Sequence, residues 1–244
     1  MVRRCLALAV FAVCWTLAVS SALAGPRAIV ELFTSQGCSS CPAADKLLGE
    51  MINDPSLVAI SLPMDVWDYL GWKDTLADPR NTARWQAYSK SRGDRERYTP
   101  QVVVNGAAHA LGSDRSAIEK AIVKSRQNEA VLSVPVNAAR SGDHLTVALP
   151  DGTPAVAASV TVWALAKAVT VMITRGENKG RTVTYHNVMR RLVNLGPWNA
   201  TTNRWTVPLR DLAGDGIDSA AVLVQTGTPD KPSLMLGAAM ASLR

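Results

Sequence analysis

Cys38-Ser39-Ser40-Cys41-Pro42 places two thiols within one turn of chain. At this spacing a thiolate at the first position can attack a partner's disulfide, and the second thiol can then release the partner. Four cysteines are present, and the other two, Cys5 and Cys14, lie in an apolar N-terminal stretch. The chemistry this suggests is thiol–disulfide exchange, with Cys38 as the exposed nucleophile and Cys41 as the more buried resolving thiol. Two other uses of the pair stay open: an inert disulfide pinning a loop to a helix, and a copper chaperone holding Cu(I) on the two sulfurs. None of the three histidines, His109, His144 and His186, is close to the pair in sequence. A larger metal-ligand set is therefore not expected.

Other residues could support the cysteines. Thr99-Pro100 precedes an apolar run, and a cis proline there would leave the Thr99 backbone groups to pair with a bound peptide. Glu31 is a carboxylate inside an apolar run. If buried beside Cys41 it would move a proton to or from that thiol; otherwise it lies at a strand surface or pairs with an arginine. Asp65-Val66-Trp67-Asp68-Tyr69-Leu70-Gly71-Trp72-Lys73 offers Trp67, Asp68 and Trp72 as a substrate-facing wall, unless the tryptophans pack under their own loop. The run Arg92–Arg97 reads as a solvated linker. Asp211, Asp215 and Asp218 lack calcium-loop spacing and read as turns.

The positioning elements alternate up to about residue 130. Ala28–Phe33 is a strand buried on both faces, and Pro42–Asp54 a helix with Leu47, Leu48, Met51 and Ile52 on one side. Leu57–Leu62 is a second buried strand, which makes a right-handed parallel crossover. Asp78-Pro79 opens a helix running to about Lys90. Gln101–Val104, the hairpin turn Asn105-Gly106 and Ala107–Leu111 follow, and Asp114 caps a last helix. At the strand–helix junction the free N–H groups of the helix stabilise a thiolate at Cys38. A thiol of pKa ~8.5 is only ~3% ionised at pH 7, whereas one of ~6 is ~90% ionised. From Val131 onward short β-rich runs, among them Val131–Val136, Val160–Leu165 and Val169–Ile173, and the turns between them suggest an antiparallel sandwich, with no convincing helix. The expected architecture is an α/β thioredoxin-like domain over 25–130, followed by an all-β sandwich domain over 131–244.

Arg3 and Arg4, the apolar run Cys5–Val19 and the small residues Ala22 and Ala24 read as a signal peptide over 1–24, cleaved after Ala24. Export to the periplasm or beyond follows, with no membrane anchor after cleavage. The 26 basic and 20 acidic residues give a charge of +6, and loss of Arg3 and Arg4 with the leader leaves +4. That surplus is mild and unclustered, so nucleic acid is not an expected partner.

The segment Val30–Pro42 resembles a family of secreted bacterial proteins of unassigned function, grouped with thioredoxin-like folds. The likeness continues through Trp67–Asp74, Tyr98–Gln101 and Val104–Gly106, and into Arg175–Thr182 and Val188–Arg191. One departure is Pro63-Met64-Asp65-Val66-Trp67-Asp68, where the family carries His-Val-Asp-Tyr-Trp-Asp. The resemblance implies the fold and names no substrate. The expected function is exchange of disulfides with a protein substrate and a separate redox partner. No cofactor is needed, since the cysteine pair carries the electrons. The rival is a non-catalytic thioredoxin-like binding protein with a structural disulfide.

Overall fold

The computed structural model describes residues 25–152, 156–199 and 201–244. The signal peptide expected over 1–24, with Cys5, Cys14 and its cleavage after Ala24, lies outside the described residues.

The first apolar run forms β1 (Ala28–Thr34), buried along its whole length. It leads into α1 (Cys41–Met51) and returns as β2 (Leu57–Pro63), parallel to β1 with Thr34 opposite Pro63. α2 (Pro79–Arg92) starts where the Asp78 carboxylate accepts from Arg80 N at 2.9 Å, and it ends at Gly93. β3 (Gln101–Val104) lies antiparallel to β1. Asn105 and Gly106, both with positive φ, turn the chain into β4 (Ala108–Leu111); Val104 pairs with Ala108, so the loop spans residues 105–107 and is one residue longer than the two-residue turn expected. α3 (Arg115–Ser125) opens where Asp114 accepts from Ala117 N at 2.9 Å.

Beyond it run β5 (Asn137–Ser141), β6 (His144–Ala148), β7 (Ala158–Met172), β8 (Thr182–Trp198) and β9 (Arg204–Pro208). A single helical turn, α4 (Leu209–Leu212), precedes β10 (Ile217–Thr228) and β11 (Lys231–Ser242). Two expectations need correction. The runs 160–165 and 169–173 are one strand, because β8 stays paired past the exposed Lys167, with Ala168 opposite His186. The run Val131–Val136 is no strand, although Leu132 N and Val134 N donate to carbonyls of β11.

Eight strands share one sheet in the order β11-β10-β7-β8-β2-β1-β3-β4, and β5-β6-β9 form a second. The boundary expected near residue 130 falls between α3 and β5, yet strands from both sides of it lie in the same sheet. Its seam is narrow: β2 meets β8 at Ser61 and Val188, and Asn187 Nδ2 donates to Ala59 O at 3.0 Å.

Strand alternation sends side chains to two faces. On one face Ile29, Phe33, Ile60, Leu62, Trp163, Leu165 and Leu223 pack with Trp85 and Tyr88 of α2. On the other, Val30, Leu32 and Ala59 pack under α1 and α3. Farther along that second face, Val160, Val162 and Val222 meet Leu145, Val147 and Val207 of the small sheet. The cysteine loop sits at the end of β1 on the α1 side.

Candidate functional site

Cys38 and Cys41 form a disulfide across the start of α1. The loop is held by Cys38 N donating to Ser35 O at 3.1 Å and Cys41 N donating to Cys38 O at 3.2 Å. Thr99 and Pro100, joined by a cis peptide, lie against it. The Thr99 hydroxyl donates to Cys38 Sγ at 3.3 Å and accepts from Trp67 Nε1 at 2.8 Å. Ser40 Oγ lies 3.4 Å from the same sulfur and donates to Thr99 O at 3.3 Å. The structure thus brings together Cys38, Cys41, Thr99, Pro100 and Trp67, which are far apart in sequence.

Cys38 is less open than expected. It is 5% exposed and Cys41 is fully buried. The cover comes from the Trp67 loop, which lies so close that a β-carbon on Gly37 would sit 2.9 Å from Trp67 Cβ. Only glycine fits there. Tyr69, 74% exposed, leans on Trp67 with ring centroids 5.9 Å apart and is the loop's outward aromatic.

Asp68 and Trp72, expected to face substrate, are half-buried and each makes a hydrogen bond that holds the loop. Asp68 Oδ1 accepts from Asp74 N at 3.0 Å, and Trp72 Nε1 donates to Gln36 Oε1 at 2.8 Å. Gln36 N in turn donates to Asp74 Oδ2 at 2.7 Å. These contacts tie the 68–74 loop to the segment before Cys38.

Glu31 is fully buried but does not serve Cys41. Its side chain leaves β1 on the α2 face with its neighbours Ile29 and Phe33, whereas α1 covers the opposite face. There Arg84 Nε donates to Oε1 at 2.6 Å, and Tyr88 OH donates to Oε2 at 2.6 Å. Gln225 of β10 joins through Arg84 and Tyr88. The expected proton-shuttle role gives way to the alternative of an arginine partner.

Another carboxylate stands where Glu31 was expected. Asp45 is four residues after Cys41 on α1, hence on the same helix face one turn along. It is 1% exposed, and among the described residues neither oxygen has a partner at hydrogen-bonding geometry; the Thr34 hydroxyl is near but not aligned. Burial, with the Asp74 charge adding to it and the Thr34 hydroxyl opposing it, pushes its pKa up to about 8. Asp74 is also raised, to about 6, mainly by burial and against three backbone N–H donors. Tyr185 of β8 lies in the same field, its hydroxyl unpartnered and its pKa raised by burial and by both carboxylates. Sequence reasoning passed over Asp45, although a carboxylate among the apolar positions Cys41, Ala44 and Leu48 was the available signal.

Asn178 was also missed. Its side-chain Nδ2 donates to Gln36 O at 2.9 Å and Cys38 O at 2.8 Å, so the β7–β8 turn clamps the cysteine loop from the second half of the chain. Among the described residues, no group of three or more His, Cys, Asp or Glu is arranged to hold a metal ion. No described helix is long and apolar enough to cross a membrane.

A family of proteins of unknown function, DUF1223, matches residues 29–225. The chain belongs to that family. The crystal structure of protein AGR_C_4864 from Agrobacterium tumefaciens is similar, at 31% identity and a TM-score of 0.78, over 88% of this chain and 94% of that one. HBP35 of Porphyromonas gingivalis shares the fold at a TM-score of 0.56 and 13% identity, over 90% of this chain and 76% of that one. No curated protein matches the chain. The family therefore brings a shared fold and no activity.

Proposed function

We propose that the protein is an exported thiol–disulfide exchange protein, acting in the periplasm or outside the cell. In this reading residues 25–130 are a thioredoxin-like unit and 131–244 a β-sandwich that braces it. The observation that carries the reading is the Thr99 hydroxyl on Cys38 Sγ, beside a cis proline and at the mouth of α1. A hydrogen-bond donor and a helix N-terminus both favour a thiolate at that sulfur.

Starting from the dithiol, the Cys38 thiolate attacks a partner's disulfide. The Cys38–partner bond forms as the partner's own S–S bond breaks, and one partner sulfur leaves as a thiolate. Cys41 then loses its proton and attacks Cys38 Sγ. This re-forms the Cys38–Cys41 disulfide and expels the second partner thiolate, so the partner gains the two electrons the protein loses. The opposite direction runs the same bonds backwards. Asp45, whose two protonation states interconvert near neutral pH, is placed to exchange the Cys41 proton. Trp67 and Thr99 position Cys38.

A second reading, a binding protein with a structural disulfide, is favoured by the 5% exposure of Cys38. The reduction potential against glutathione separates the two. A value between about −120 and −270 mV, with turnover abolished by Cys38→Ser and mixed disulfides trapped by Cys41→Ser, supports exchange. A value below about −300 mV with normal behaviour of Cys38→Ser supports the structural bridge.

A further inference from the structure

Pro42, immediately after Cys41, opens a groove of about 460 Å³ between α1 and β8. Lys46 and Gly49 form one wall, and Arg181, Thr182, Thr184 and His186 the other. At the Gly49 end α1 packs directly on β8, where a β-carbon on Gly49 would lie 2.6 Å from His186 Cδ2, and the groove closes there.

Two features point to an occupant. The first is backbone. Thr182–His186 pairs with β7 on one side, but β2 reaches β8 only at Val188. Among the described residues, one backbone edge of this stretch has no strand partner. Such an edge accepts an extended chain by strand addition.

The second feature is charge. Lys46 and Arg181 line the groove, and Arg175 and Lys179 lie in the turn that clamps Cys38 through Asn178. Lys73 neighbours Trp72, which packs on Gly176 of that turn. All five cations are exposed, and among the described residues none is in an ion pair. The carboxylates beneath them, Asp45 and Asp74, are buried. Glu177 is the one acidic residue in the Arg175–Arg181 turn. The groove, the turn beside it and Lys73 therefore present five exposed cations and one exposed carboxylate, Glu177.

We propose that this groove seats an extended acidic segment of the protein whose cysteines exchange with Cys38 and Cys41. This substrate class rests on the exchange reading above. The segment pairs its backbone with Thr182–His186 and sets its carboxylates against Lys46 and Arg181. Lys73, Arg175 and Lys179 steer it in.

The test uses peptide disulfides of one length that carry three glutamates, three glutamines or three lysines beside the cysteine. Exchange with the full chain is followed by tryptophan fluorescence. The glutamate peptide reacts about tenfold faster than the glutamine peptide at low salt, the lysine peptide slower still, and high salt removes the difference. Lys46→Glu with Arg181→Glu abolishes the preference, while Lys120→Glu with Lys124→Glu on α3 keeps it. Equal rates for glutamate and glutamine peptides overturn the proposal, as does equal loss from the two pairs of reversals. Citrate that displaces the glutamate peptide at equal concentration also overturns it, because the site then takes small anions.

A cysteine-free glutamate peptide separates this proposal from the exchange reading. If no disulfide is exchanged, yet that peptide binds and the Lys46/Arg181 reversal releases it, the groove stands and exchange falls. If that peptide does not bind and exchange is indifferent to charge, the groove falls alone.

Discussion

Two buried carboxylates, Glu31 and Asp45, lie on opposite faces of the same sheet, and their surroundings differ in one respect. Glu31 is met by Arg84, Tyr88 and, through them, Gln225. Among the described residues Asp45 has no hydrogen-bond partner for either oxygen. Desolvation penalises a buried carboxylate, and a guanidinium with hydrogen bonds offsets that penalty where they are present. The α2 face therefore uses its acid to bind three elements together. The α1 face keeps an acid whose proton is easily moved, one turn from a cysteine. A carboxylate in the core marks a candidate site when its charge is left uncompensated, and a brace when it is matched.

The largest expected effect is on stability against pH. Asp45 is raised from 3.8 to about 8, so between these values the native state holds a proton that the unfolded chain has released. Unfolding free energy then falls as pH rises from about 4 to about 8, by on the order of 5 kcal/mol from this group. Asp45→Asn flattens the slope and makes the variant more stable than the parent at pH 8, as read by urea unfolding at pH 5 and 8. Asp74 contributes a slope of the same sign, confined below its value of about 6. Equal slopes for parent and variant would break the comparison.

Next comes Glu31→Gln, which leaves Arg84 buried with its countercharge gone and costs about 3–5 kcal/mol in the same denaturation measurement. The double change Glu31→Gln with Arg84→Met recovers much of the loss. A double variant as unstable as the single one shows that the network stabilises by something other than charge matching.

Kinetics sharpen the contrast. Asp45→Asn slows release of a Cys38 mixed disulfide about 100-fold at pH 7, read by quenched-flow trapping. Glu31→Gln leaves that rate per folded molecule unchanged. Equal slowing by both changes would remove the distinction between the two faces. The smallest effect is that of Trp67→Phe, which takes away the hydrogen bond to Thr99 and, at about 1 kcal/mol, changes the rate of attack by Cys38 roughly fivefold. The rate of release should not follow.

Much of the framework was legible because its signals are local. The nearly continuous apolar runs of β1 and β2, the Asp78 and Asp114 caps and the Asn105-Gly106 turn depend on a few adjacent residues. The fused strand β7 was read as two, since Lys167 breaks the apolar pattern while the backbone ladder ignores side-chain polarity. At the site, the disulfide spacing and Thr99-Pro100 were visible in the chain. Trp67 was visible as a candidate near the cysteines, but its bond to Thr99 was not. The bonds of Asp68 to Asp74 N and of Trp72 to Gln36 were not visible either, because the pairing of polar groups leaves no composition signal.

The sequence by itself determined which residues could do chemistry, and it set the start of α1 to within one residue, Pro42 against Cys41, since cysteine spacing, proline placement and apolar periodicity are properties of neighbouring residues. Tertiary structure decided which of those residues meet. Glu31 finds Arg84 53 positions away, Thr99 reaches Cys38 across 61, and Asn178 clamps the cysteine loop across 140. Whether a carboxylate braces the core or holds a mobile proton depends on countercharge and burial, and both are set only when distant segments pack against the same face of the sheet.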